Sequence, residues 1–85
     1  MGVYHLRTRE GRHEVDLILR RRDGKILAFE VKLSPSVSDA DVRHLVWLRN
    51  ELGEDLLDAG VITTGSDAYR RRDGFAVIPA SLLGP

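Results

Sequence analysis

"HEVDLILRRRDGKILAFEVKL", His13 to Leu33, reads as two strands around a tight turn. Val15, Leu17 and Leu19 alternate with Glu14, Asp16 and Ile18, and Leu27, Phe29 and Val31 alternate with Ala28, Glu30 and Lys32. Period two is the signature of a strand. Asp23-Gly24 supplies the turn, because glycine accepts the left-handed conformation that closes a type I turn with a bulge. The loop is then Arg22-Asp23-Gly24, and Arg21 faces Lys25. Counting outward sets Leu19 opposite Leu27, Leu17 opposite Phe29 and Val15 opposite Val31, which makes one face wholly apolar. The other face pairs Asp16 with Glu30 and Glu14 with Lys32. A two-residue Asp-Gly loop would put Asp16 against Val31 and mix the faces, so the apolar pattern rejects it.

Charges inside a well-ordered sheet need a reason. Glu14 and Lys32 make an ordinary cross-strand ion pair. Asp16 and Glu30 do not: side chains directly opposite have Cβ atoms ~4.5–5.5 Å apart, and two carboxylates at that range repel unless a cation sits between them. Hard divalent cations take oxygen ligands. Asp16, one oxygen of Glu30 and the backbone carbonyl of Val31 would give three ligands to Mg²⁺ or Mn²⁺, with waters and a substrate phosphate completing the shell. Lys32 would lie near, placed to orient an attacking water or to stabilise charge on phosphate.

Before this hairpin, Val3 to Thr8 is a strand candidate ending at Arg9-Glu10-Gly11. After it, Ser34-Pro35-Ser36 breaks the run, and Ser38 is placed as an N-cap, with Asp39 and Asp41 at the positive end of a helix dipole. Val42, Leu45, Leu48 and Leu52, with Val46 beside them, form an apolar stripe at helical spacing, and Gly53 ends it. Leu57 to Thr64 is a fourth strand, Gly65 to Gly74 a polar connection and Phe75 to Pro79 a fifth strand, with Leu82-Leu83 expected to pack back on the core. The order β-β-β-α-β-β implies a right-handed crossover that sets the fourth strand parallel to the third. "RRRDG" occurs at Arg20–Gly24 and again at Arg70–Gly74, and shared turn chemistry accounts for it better than duplication.

Eighty-five residues make a single domain, 1–85, whose 42% hydrophobic and 31% charged residues are ordinary for a soluble globular chain. The absence of cysteine excludes disulfides and thiolate metal sites. Thirteen basic and thirteen acidic residues balance, so net charge argues neither for nor against a nucleic-acid partner. Eleven of the cations are arginine. The triplets Arg20, Arg21, Arg22 and Arg70, Arg71, Arg72 suit backbone phosphate, or else are solvated turns. The histidines, His5, His13 and His44, are dispersed in the sequence without a His-x-x-x-His spacing, which speaks against zinc. With no apolar run near ~20 residues and no signal-peptide pattern, the expectation is a cytoplasmic protein with no membrane contact.

"E-V-D" in one strand, a hairpin, "F-E-V-K" in the next and then a helix resemble the PD-(D/E)xK nuclease-like superfamily. Asp16 stands at the motif's first acid and Glu30-Val31-Lys32 at its (D/E)xK. The run from Tyr4 to Leu83, with "R-T-R-E-G-R-H-E-V-D", "E-V-K-L-S" and "G-V-I-T-T-G", looks like the C-terminal domain of archaeal-type AAA-like ATPases. The resemblance implies an α/β, restriction-endonuclease-like core with a mixed sheet and one crossover helix. It also implies Mg²⁺- or Mn²⁺-dependent phosphodiester hydrolysis on DNA or RNA, with Asp16, Glu30 and Lys32 as catalytic residues. Departures are Val15 where proline is frequent, the absence of the helix that usually precedes the first strand, and the absence of a P-loop, so the family's ATPase module is missing here. The rival expectation is a non-catalytic docking or regulatory domain. It would act by protein–protein contact on an ATPase module in cis or in trans, or on a second copy.

Overall fold

A computed structural model describes residues 2–8 and 11–84. The turn expected at Arg9-Glu10 lies outside the described residues. The elements are β1 (Gly2–Arg7), β2 (Glu14–Arg20), β3 (Ile26–Lys32), α1 (Arg43–Leu52), β4 (Leu56–Thr63), β5 (Tyr69–Arg70) and β6 (Ala76–Pro79). They form one six-stranded mixed sheet in the order β1-β2-β3-β4-β6-β5, with β3 parallel to β4 and β4 parallel to β6. The α/β class, the mixed sheet and the single α-helix match expectation. Two details do not. The connection from 65 to 74 contains β5, and Leu82 and Leu83 are 66% and 60% exposed instead of packed on the core.

The β2–β3 turn is the one counted from the sequence. Arg21 donates its backbone N–H to Lys25 O at 2.9 Å, Gly24 donates to Arg21 O at 3.1 Å, and Gly24 has φ 86°. Asp23 fixes the loop by accepting the Lys25 N–H at 3.0 Å. The second "RRRDG" repeats the device between β5 and β6: Arg71 N–H to Phe75 O at 2.8 Å, Gly74 N–H to Arg71 O at 3.0 Å, Gly74 φ 94°, and Asp73 accepting from Phe75 N–H at 3.3 Å. Identical turn chemistry makes two hairpins, and the second one creates β5.

Register follows the count as far as Leu17–Phe29 and Leu19–Leu27. It departs beyond, because β1 and β2 slip by one residue. Tyr4 pairs with Ile18 and Leu6 with Val15, so one residue of β1, His5, faces two of β2, Asp16 and Leu17. Such a bulge bends the strand and changes which way its side chains point. Val15 therefore does not sit opposite Val31. Val15 is fully buried, whereas Val31 is 50% exposed. Val15 and Ile18 both join the core under α1, with Ala28, Ala59 and Val61 from the sheet and Val42, Leu45 and Leu48 from the helix segment.

The core thus lies on the Ile18–Ala28 side. The opposite side carries Leu17, Leu19, Leu27 and Phe29, all partly buried, together with the more exposed Val3 and Val31.

Ser38 caps a 3-10 turn over Asp39–Val42, and α1 begins at Arg43, four residues later than a helix capped by Ser38 would. Asp41 Oδ2 accepts the Ser38 backbone N–H at 2.7 Å and the Ser38 hydroxyl at 3.0 Å, which is a capping box with aspartate as its acid. Gly53, φ 55°, ends the helix.

Arg71 then ties the β5–β6 turn to this entry. Its guanidinium donates to Val37 O at 3.0 Å, to Asp39 at 2.6 Å and to Asp73 at 3.1 Å, with only 12% of the side chain exposed. Asp39 is fully exposed and contributes little, so the carbonyl and Asp73 carry the interaction. Arg71→Ala should lower stability by about 1–2 kcal/mol, read as a lower urea midpoint with an unchanged slope. An unchanged midpoint would show the tether to be slack.

Candidate functional site

β2 and β3 stop pairing conventionally at Leu17–Phe29, and two carboxylates take over. Asp16 donates its backbone N–H to Glu30 Oε1 at 3.2 Å, and Val31 donates its backbone N–H to Asp16 Oδ2 at 2.9 Å. Each acid therefore occupies the place of a ladder carbonyl on the other strand. The two acids are linked by these side chain–backbone bonds, one residue beyond the last backbone pair, Leu17–Phe29. Val31 enters this exchange through its N–H.

Alternation from Ala28 puts Glu30 and Lys32 on the helix side, in register with the buried Val61 and Thr63. Burial pushes the Glu30 carboxyl up from its ordinary 4.5 to about 7, and the nearby Asp16 and Glu14 charges push the same way.

The expected Glu14–Lys32 pair does not form. Lys32 Nζ is ion-paired with Asp41, the capping acid, and this hydrogen bond holds the Asp41 carboxyl below its usual range, helped by the Ser38 N–H. Glu14 instead faces Arg7 across β1–β2, with Arg7 3.8 Å from Oε2 and His5 Nε2 3.0 Å from Oε1. The cause is again the bulge, which turns Glu14 toward β1.

Two of the three histidines meet in space. His13 and His44 approach through their Nδ1 atoms at 3.2 Å, and the His13 ring stacks on Trp47 at 4.2 Å between centroids. One Nδ1 must donate and the other accept. Burial lowers the His44 pKa, Arg43 and His13 lower it further, and Glu14 and Asp16 oppose them. His13 and His44 thus meet although 31 residues apart in the chain, which spacing does not reveal, while His5 contacts Glu14.

The arginine triplets divide. Arg21 pairs with Asp23, Arg70 with Asp58 at 2.7 Å, and Arg71 is the tether described above. Arg20, Arg22 and Arg72 are exposed. Arg20 stands four residues along β2 from Asp16, about 13 Å at ~3.3 Å per residue.

No helix among the described residues is long and apolar enough to cross a membrane. No curated protein and no solved structure matches this chain. One family does, over residues 1–83: the chain belongs to the family described as a domain of unknown function, DUF4143.

Proposed function

We propose that this domain is a nuclease of the PD-(D/E)xK kind, hydrolysing phosphodiester bonds of DNA or RNA with Mg²⁺ or Mn²⁺. We place it in the service of an AAA-like ATPase, since its family is typically found with such ATPases. The observation that carries this reading is the reciprocal exchange at the β2–β3 junction. Asp16 and Glu30 each spend one oxygen on a backbone amide of the other strand. Their remaining oxygens, with the Val31 carbonyl, are the hard donors such a cation takes.

A bound cation would supply Lewis-acid stabilisation of phosphate oxygens. The chain's own groups do the rest. Asp16 and Glu30 would hold the cation at the carboxyl end of β3, where ligands of open α/β sheets collect. Lys32, anchored by Asp41, is a fixed positive charge beside it and suits a phosphoryl oxygen that gains charge in the transition state. The exposed Arg20, Arg22 and Arg72 would position backbone phosphate without reading sequence.

The test is nicking of supercoiled plasmid by the purified chain in Mg²⁺ or Mn²⁺, with calorimetric titration of Mn²⁺. The expected result is nicking by the wild type that stops with EDTA and is lost in Asp16→Asn. Silence of the wild type in both assays would overturn it.

A second reading has its own observation. The Leu17–Phe29 side of the sheet is apolar and lies away from α1, and sheets with parallel strands are ordinarily covered on both faces. A docking domain that seats this face on the ATPase module would account for it, and metal silence would favour that role.

A further inference from the structure

Donors of a second kind meet where β2 bulges against β1. His5 is the residue that faces Asp16 and Leu17, and Glu14 lies two pairs further along, opposite Arg7. One ligand atom each from His5, Glu14 and Asp16 lies within 4.8 Å of the others. The His5 Nε2–Glu14 Oε1 separation is 3.0 Å. With metal–ligand bonds of ~2.1 Å, adjacent ligands of an octahedral ion stand ~3.0 Å apart and opposite ones ~4.2 Å. The existing spacing therefore needs side-chain rotation and little more. Arg7, 3.8 Å from the other Glu14 oxygen, helps orient that carboxylate, as outer partners of metal ligands do. His5 is half exposed on an edge strand, so water can fill the remaining positions.

We propose that His5, Glu14 and Asp16 bind a divalent transition ion of the Zn²⁺ or Co²⁺ class in preference to Mg²⁺. The imidazole nitrogen makes the choice, because Mg²⁺ takes oxygen and keeps its waters while imidazole suits the later first-row ions. The site shares Asp16 with the acid pair but does not need Glu30, and it stands whether or not the domain cleaves phosphodiesters.

Co²⁺ alone, titrated into the full chain and followed by visible absorption and calorimetry, tests it. One saturable site is expected, with a d–d band that excess Mg²⁺ does not abolish. His5→Ala should weaken Co²⁺ at least about tenfold and shift the band, whereas Glu30→Gln should leave the affinity nearly unchanged. His5→Gln is a second variant at the same exposed position, and thermal unfolding of both checks that the sheet is intact. Absence of saturable Co²⁺ binding, or wild-type affinity in both folded His5 variants, overturns the proposal. So does displacement of Co²⁺ by equimolar Mg²⁺. Loss of binding in Glu30→Gln but not in His5→Ala would put the ion on the Asp16–Glu30 pair, leaving the preceding reading standing and this one refuted.

Discussion

Gly60→Ala should unfold in far less urea than the native chain, with an expected loss of about 3 kcal/mol. In most strands the same change would be neutral or mildly favourable, since alanine restricts the unfolded chain more than glycine does. Here β4 and β6 run parallel with Gly60 opposite Ala76. A Cβ at Gly60 would meet the Ala76 carbonyl oxygen at 2.5 Å and the Ala76 Cβ at 3.0 Å. A carbonyl in a ladder cannot turn aside as a side-chain tip can, so the strands must separate. That pairing joins the β5–β6 hairpin to the rest of the sheet. Adding Ala76→Gly removes the Cβ contact and leaves the oxygen, so it should recover only a small part of the loss. Chemical denaturation followed by circular dichroism measures both. A Gly60→Ala midpoint equal to the wild type would show that the two strands are not held at this spacing.

Much of this was legible in the residues. Asp23-Gly24 fixed the hairpin length, and two strands of alternating apolar residues then had one consistent register through Leu17–Phe29. The Val42–Leu52 stripe located the helix, and Ser38 marked the 3-10 turn that leads into it. β5 was within reach too. "RRRDG" was read as a turn twice, and a turn of that type joins two strands, yet Tyr69-Arg70 is too short to alternate visibly.

The bulge was not legible, because neither glycine nor proline marks it, and "HEVDL" alternates without a break. Nothing local says that Val15 will desert Leu17 for Leu6. The slip comes from the core, which has room under α1 for Val15 and Ile18 together. From it follow the Glu14–His5 contact, the freeing of Lys32 for Asp41, and the approach of His5 to Asp16.

The Arg triplets were open to two readings, backbone phosphate or solvated turns, and local turn chemistry accounts for part of them: an arginine next to an Asp-Gly turn has a carboxylate two residues off. Arg21 takes Asp23, and Arg71 takes Asp73. Such clamps are local chemistry and would form in any hairpin with this sequence.

Glu30→Gln should do two opposite things, and their opposition is the argument for a built site. Glu30 holds its proton more tightly folded, at about 7, than its ordinary 4.5. The stabilisation linked to that proton is whole below pH 4.5 and drains away as pH rises through 7, where the side chain must ionise in a half-buried place beside Asp16. Glutamine keeps the acceptor that Asp16 N–H uses and has no charge to bury. Above pH 7 the variant should be the more stable protein, by about 1–2 kcal/mol after discounting for solvent screening at a partly exposed group. Near pH 4.5 the two should converge. Urea midpoints at pH 4.5 and pH 8 test this, and a variant less stable than the wild type at pH 8 would contradict it. The same substitution removes a donor from the cation that the nuclease reading requires, so plasmid nicking should fall by about 100-fold or more. Retaining at this junction an acid whose neutral isostere folds better is the pattern of a residue kept for chemistry at the expense of stability. If nicking survives Glu30→Gln while stability rises, the carboxylate has no such task, and the reading that rests on the acid pair fails with it.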